Sequence, residues 1–189
     1  MSVPKPLRAD AVKNRRRILD AANRQITARG TEVPMETIAA DARVAVGTLY
    51  RHFPTKHDLV AAILDAHVDA MTREAESTAE RVEAGAEAFD ELLAFARKIM
   101  ETAAHNKAVK AAARELGTYC EPDIDLERGL GALARILEAG KAAGDLRPDL
   151  TVDDFYLFFS TVPIDRPAPV RNRWFELMMD GFRANEARR

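Results

Sequence analysis

The 189-residue chain is long enough for one or two small domains with a buried core. Its 47% apolar and 31% charged residues are those of an ordinary soluble globular protein, and the single cysteine, Cys120, excludes an intramolecular disulfide and a cysteine-rich metal site. The net charge of −2 hides an asymmetry: residues 1–56 carry 11 Lys/Arg against 5 Asp/Glu (+6), and the rest 17 against 25 (−8), so one end is suited to a polyanion.

Residues 1–10 contain Pro4 and Pro6 and are expected to form a flexible basic arm. They lack the apolar core of a signal peptide, and no apolar run approaches the ~18–20 residues that span a bilayer. A cytoplasmic location and no membrane partner are therefore expected. Helical periodicity dominates from there on, and strand-like alternation is absent. A first helix is predicted over 11–29, with Ile18, Leu19, Ala22 and Ile26 as its buried stripe and Gly30 as its stop. Pro34 suits the first turn of a short second helix ending near Ala42. After a tight connection, Arg43-Val44-Ala45, a third short helix carries Leu49 and Phe53 on one face and ends at Pro54.

Thr55-Lys56-His57-Asp58 has the Ser/Thr-x-x-acid form of a capping box and starts a long helix expected to reach about Ser77. Residues 78–86 are acidic and Ala-rich, either more helix or a loop around Gly85. Beyond them lies a helical bundle. Phe89, Leu92, Leu93, Ala96, Ile99 and Met100 form one stripe; Leu126, Leu130, Leu133 and Leu137 form another, closed by Gly144. Thr151 to Asp154 is a second capping box, leading into Phe155, Phe158, Phe159 and Val162. Three prolines make 163–170 a loop, and a last helix carries Trp174, Leu177, Met178, Gly181 and Phe182. The expected fold is all-α with about nine helices.

Residues 35–53 meet the physical demands of a helix-turn-helix. A bracing helix needs small or apolar residues at the crossing (Ile38, Ala39, Ala42), and the connection needs one apolar plug (Val44). The recognition helix must bury one face, Leu49 and Phe53, and show the other. Val46, Gly47, Thr48, Tyr50 and Arg51 are the candidates for that exposed side. Tyr50, His52 and Lys56 are placed to donate to phosphates, and Lys56 lies in a first helical turn that favours anions. The run Arg15-Arg16-Arg17 sits at the same basic pole. Glu36 would repel a phosphate, so no base contact is expected from the second helix.

The run Val46-Gly47-Thr48-Leu49-Tyr50-Arg51-His52-Phe53-Pro54-Thr55-Lys56 resembles the signature of the tetracycline-repressor (TetR) family of transcriptional regulators. Ile38-Ala39, Val44 and the Ile18-Leu19-Ala22 stripe lie at that family's spacing, so the resemblance covers residues 14–65. Beyond that, only the helical layout, the length and the final Trp-x-x-Leu-Met-x-x-Gly-Phe helix are similar. The resemblance implies that Thr48 and Tyr50 face the groove and the phosphates, that His52 and Lys56 bind phosphate, and that Arg15, Arg16 and Arg17 lie near the DNA backbone or extend an arm. It also implies a DNA-binding domain over 11–55 and an effector-binding and dimerisation domain over 56–189. Two positions depart from the pattern. Arg43 replaces the usual turn glycine, at a cost of roughly 1 kcal/mol if its backbone is left-handed, which a phosphate contact could offset. Ala45 replaces the usual Ser/Thr cap, worth about 0.5–2 kcal/mol.

Phe89, Phe95, Met100, Tyr119, Phe155 and Phe158 are the candidates to line an effector cavity, the plainer alternative being that they are core. Phe159, Trp174, Leu177, Met178 and Gly181 are the candidates for a dimer interface, since one helix-turn-helix makes too few contacts for a specific site. His57, His67 and His105 show no metal spacing, and no phosphate loop or nucleophile elbow appears, so neither cofactor nor metal is expected. The expected function is a homodimeric repressor on a palindromic, double-stranded DNA operator, released by an unidentified small molecule, with activation as a variant. The rival readings are an all-helical adaptor that offers its basic face to an acidic protein, and a small all-α enzyme.

Overall fold

The computed structural model describes residues 5–117 and 124–184. Nine α-helices occur among them: α1 (Lys5–Arg29), α2 (Met35–Asp41), α3 (Val46–His52), α4 (Lys56–Glu83), α5 (Ala88–His105), α6 (Lys107–Glu115), α7 (Ile124–Ala143), α8 (Val152–Ser160) and α9 (Ala168–Asp180). The expected stops are present: Gly30, Gly85 and Gly144 all have positive φ, and both capping boxes close, Thr55 with Asp58 and Thr151 with Asp154.

Two expectations are corrected, one open alternative is decided, and one helix is added. Residues 5–10, read as a loose arm, are the start of α1; Pro6 falls in its first turn, where the missing N–H has no intrahelical acceptor to lose. The ambiguous stretch after Ser77 is helix through Glu83, and the chain turns at Gly85. The proline loop ends earlier than 170, because Pro169 sits in the first turn of α9. Helix α6 was not anticipated, although Val109, Ala112 and Ala113 have the i, i+3, i+4 spacing of a short buried face.

The helices form two compact units. The first, here called the head, takes the described residues of Met1–His67 and His105–Glu121; the second takes those of Val68–Ala104 and Pro122–Arg189. The head thus extends past the domain boundary expected at residue 55 and includes the first part of α4 and all of α6. Its core joins Ile18, Ala22 and Ile26 of α1 to Ile38 and Ala39 of α2, Leu49 of α3, Leu59 and Ile63 of α4, and Val109 and Ala112 of α6. Thr31, buried in the loop after α1, donates its hydroxyl to Glu115 Oε2 at 2.9 Å and so ties that loop to the end of α6.

The second unit is built around aromatic rings. Phe155 stacks on Phe95 (6.1 Å between centroids) and meets Phe159 edge-on (4.7 Å), while Phe158 stacks on Trp174 (4.9 Å). The Arg97 and Arg183 guanidinium groups cover the Phe175 and Phe89 rings at 4.6 and 3.9 Å. Bidentate pairs Arg128–Glu76 and Arg135–Glu83 join α7 to α4 on the outside. Gly140 is where close approach is needed: a Cβ there would lie 2.6 Å from Leu146 Cδ1 and 2.9 Å from the Ala88 methyl. Among the described residues no helix is long and apolar enough to cross a membrane.

Candidate nucleic-acid interface

The site is made by α2, the turn and α3. Ile38, Ala39 and Ala42 are buried where α2 meets its neighbours, Val44 plugs the turn partly buried, and Leu49 and Phe53 are buried beneath α3. With that face committed, Val46, Gly47, Tyr50 and Arg51 are exposed and Thr48 and His52 are half-buried. The expected division of α3 into a packed and a displayed face holds for Leu49, Phe53, Val46, Gly47, Tyr50 and Arg51, while Thr48, expected on the displayed face, is half-buried.

Both anomalies of the turn are visible. Arg43 has φ +54°, the left-handed conformation that a glycine would adopt at no steric cost. Its carbonyl accepts a long hydrogen bond from the Arg17 guanidinium at 3.4 Å. Ala45 occupies the N-cap of α3 with an extended backbone and no side-chain hydrogen bond, so the cap that Ser or Thr would supply is missing. Asp41 at the end of α2 accepts from Gln25 at 3.1 Å and from Arg24 at 3.2 Å. These two bonds, Gln25's first, hold its carboxyl below the usual Asp value.

The basic residues are not equally available. Arg15 is exposed and sets its guanidinium 5.4 Å from the centroid of the Phe53 ring; Arg16 is exposed; Arg17 is half-buried against the turn. Arg17, Arg24 and Arg43 line a shallow surface depression together with Asp20 and Asp41, so part of that positive charge is balanced locally. Lys56, at the start of α4, donates from Nζ to the Thr31 carbonyl in a short contact and is half-buried. On α3, Arg51 donates from Nη2 to Thr48 Oγ1 at 3.2 Å, one turn earlier on the same helix. The Tyr50 hydroxyl reaches across to α2 and donates to Glu36 Oε1 at 3.4 Å. By sequence alone Glu36 is only a residue that repels phosphate. Nothing in the spacing between residues 36 and 50 reveals that the two meet.

The other predicted sites are in the second unit. Phe89, Phe95, Met100, Phe155 and Phe158 all lie in its packed core; Tyr119 lies outside the described residues, as does Cys120. Of the five dimer candidates, Leu177, Met178 and Gly181 are exposed, whereas Phe159 and Trp174 turn inward against the aromatic cluster. Tyr156 and Leu157 of α8, not anticipated, are 63% and 61% exposed. Their signal was present in the sequence: they fall off the Phe155-Phe158-Phe159 stripe and make α8 apolar on its outer side too. Among the described residues no group of three or more His, Cys, Asp or Glu is arranged to hold a metal.

The head matches the family model described as "Bacterial regulatory proteins, tetR family" over residues 18–63. An "HTH-type transcriptional regulator" of Staphylococcus aureus strain USA300 is 38% identical over 64 residues, and one of the bovine strain RF122 is 43% identical over 54 residues. These matches span about a third of the chain and about a third of those relatives, 33% and 35% for the first. Likeness over nearly the whole chain comes from solved structures. A TetR regulator of Streptomyces coelicolor is 26% identical with a TM-score of 0.72, over 90% of this chain and 99% of that one. The TetR transcription regulatory protein of Mycobacterium vanbaalenii is 32% identical with a TM-score of 0.74, over 94% of this chain and 99% of that one. On the strength of that full-length likeness and of a helix-turn-helix built residue by residue, this chain is a member of the TetR family of bacterial regulatory proteins.

Proposed function

We propose that the protein is a DNA-binding transcriptional regulator, a homodimeric repressor that leaves a palindromic operator when a small molecule binds. The observation that carries this reading is the two-faced helix α3. Leu49 and Phe53 lock it onto the head, while Tyr50 and Arg51 stand exposed on it, Arg15 is exposed with its guanidinium near Phe53, and Arg16 is exposed on α1. A short helix held this way, with cations at its rim, fits the major groove and its flanking phosphates. Thr48, Tyr50 and Arg51 face the groove in this reading. Arg15, Arg16, Arg17, Arg43, His52 and Lys56 hold the backbone, and Val46 and Gly47 give close van der Waals approach. Lys56 reaches a phosphate by leaving the Thr31 carbonyl.

Dimerisation is supported by the outer surface of α8 and α9. Tyr156, Leu157, Val170, Leu177 and Met178 are large apolar residues left at least about one-third exposed on these two helices. Large apolar side chains exposed in that number on two helices are costly in water and suit a self-complementary interface. Two recognition helices spaced one turn of DNA apart, about 34–36 Å, then read two half-sites. The effector is proposed to enter among Phe89, Phe95, Met100, Phe155 and Phe158, where it has to part stacked rings. An apolar or aromatic molecule is the class that replaces those contacts. By linkage, any effector that weakens DNA binding is itself bound less tightly by the DNA complex.

The test is selection of genomic fragments on the purified protein across a salt series. A palindromic motif bound with an affinity that falls steeply with salt supports the reading. Salt-insensitive or absent DNA binding overturns it in favour of a protein-interaction adaptor.

A further inference from the structure

The recognition surface contains one group of the wrong sign for a polyanion. Glu36 is exposed on the first turn of α2, and the hydroxyl of Tyr50, exposed on α3, donates to its Oε1. The contact bridges the two helices of the helix-turn-helix and places the carboxylate beside the displayed face of α3. Among the described residues Tyr50 is the only hydrogen-bond partner of Glu36, and no cation pairs with it. A carboxylate only accepts hydrogen bonds and is repelled by phosphate, so on this surface it weakens DNA binding unless it meets a donor.

In the major groove the donors are the exocyclic amines of cytosine (N4) and adenine (N6). Adenine presents its N7 acceptor next to N6, which would face the second carboxylate oxygen. Cytosine presents only a C–H beside N4. Guanine and thymine offer acceptors, O6 with N7 and O4, at the corresponding edges. Resting on the DNA-binding reading above, we propose that Glu36 is a specificity-determining residue that selects a cytosine in each operator half-site, with Tyr50 as the residue that positions its carboxylate. The neighbouring side chains leave this role open to Glu36. Val46 and Gly47 carry no side-chain hydrogen-bonding group, and Arg51, tied to Thr48, is suited to guanine acceptors and not to an amine.

The experiment is selection from a random duplex library by the full-length wild type and by Glu36→Gln, Glu36→Ala and Tyr50→Phe. Glu36 is exposed, so its variants keep the fold, and unchanged thermal unfolding verifies that. The wild type is expected to enrich a motif with cytosine at one position of each half-site, by about 5-fold or more over other bases, the discrimination of a single hydrogen bond. Glu36→Ala flattens that position alone, Glu36→Gln moves it toward adenine, and Tyr50→Phe broadens it. Identical motifs for wild type and the Glu36 variants overturn the inference. So does a uniform gain in affinity for all sequences, which would make Glu36 a purely repulsive charge. If the wild type enriches no motif, the DNA-binding reading itself fails, a result distinct from the other two.

Discussion

The head fills its interior with Ile, Leu, Val, Ala and Met35 and buries one phenylalanine, Phe53, whereas the second unit is packed with Phe89, Phe95, Phe155, Phe158, Phe175 and Phe182. Their surfaces differ in the opposite sense. Around α3 the head displays Arg, Tyr and Glu, while α8 and α9 display Tyr, Leu, Val and Met. Small side chains let the short helices α2 and α3 sit close to α1, which fixes the angle at which α3 is presented. In the second unit, large rings in stacked and edge-on contact fill the space between helices. One unit therefore commits its apolar residues to a tight interior beneath a polar surface, while the other combines an aromatic interior with apolar residues left exposed on α8 and α9.

That contrast is most strongly tested by truncating each core. Phe158→Ala is expected to cost about 3–5 kcal/mol and Leu49→Ala about 2–5 kcal/mol of unfolding free energy in denaturant titrations. Only the first should alter the fluorescence of Trp174, whose ring stacks on Phe158. A Leu49 variant that disturbs Trp174 equally would mean the units do not differ as described. Next in size is the apolar face. Leu177→Glu should weaken self-association by roughly 30-fold, the effect of losing about 2 kcal/mol at an interface hot spot, read by sedimentation against concentration. An unchanged association constant would move the interface elsewhere.

DNA binding by the head's surface is expected to respond to salt. Lys56→Ala should lower the slope of log affinity against log salt by about one, while Tyr50→Phe weakens binding without changing the slope. Equal slopes for wild type and Lys56→Ala would leave Lys56 as a structural tie to Thr31. A smaller change is expected at the turn. Arg43→Gly relieves the left-handed strain and should raise stability by about 1 kcal/mol while lowering DNA affinity. A variant that loses stability would show that the contact between Arg17 and the residue 43 carbonyl depends on the arginine.

The smallest effect is with pH. Burial, then the charges of Lys110 and His105, holds the His67 imidazole below its ordinary value. The unfolded chain therefore binds the proton more readily than the folded one. The stability involved is fully present above about pH 6.5 and declines as pH falls from there toward the depressed folded value. In the second unit, the Asp154 and Glu83 carboxyls are held low by Thr151 and Arg135, so any loss there begins only in acid, below about pH 4.5. Protection of the head's amides, taken relative to their intrinsic exchange rate at each pH, is expected to fall as pH drops below about 6.5, and to fall less in His67→Phe. A wild type with no such dependence would remove His67 as a source of difference.

Amino-acid order alone determined most of the head. In a helix-turn-helix the packed and displayed faces alternate within a few residues, so Ile38, Ala39, Val44, Leu49 and Phe53 announce their own partners by spacing. The two capping boxes and the glycine stops are equally local, since each hydrogen bond closes within three or four residues. Helix α6 has a readable face, but its address does not: only the folded chain assigns Val109 and Ala112 to the head and ties Glu115 to Thr31, 84 residues away in sequence. Phe159 and Trp174 follow the same rule, apolar in the sequence and assigned inward only by the rings they meet. The helix-turn-helix surface itself was sharpened this way. Periodicity exposes Tyr50 and Glu36 separately. Their meeting depends on the angle between α2 and α3, which the buried cores of both helices set together and neither segment encodes alone.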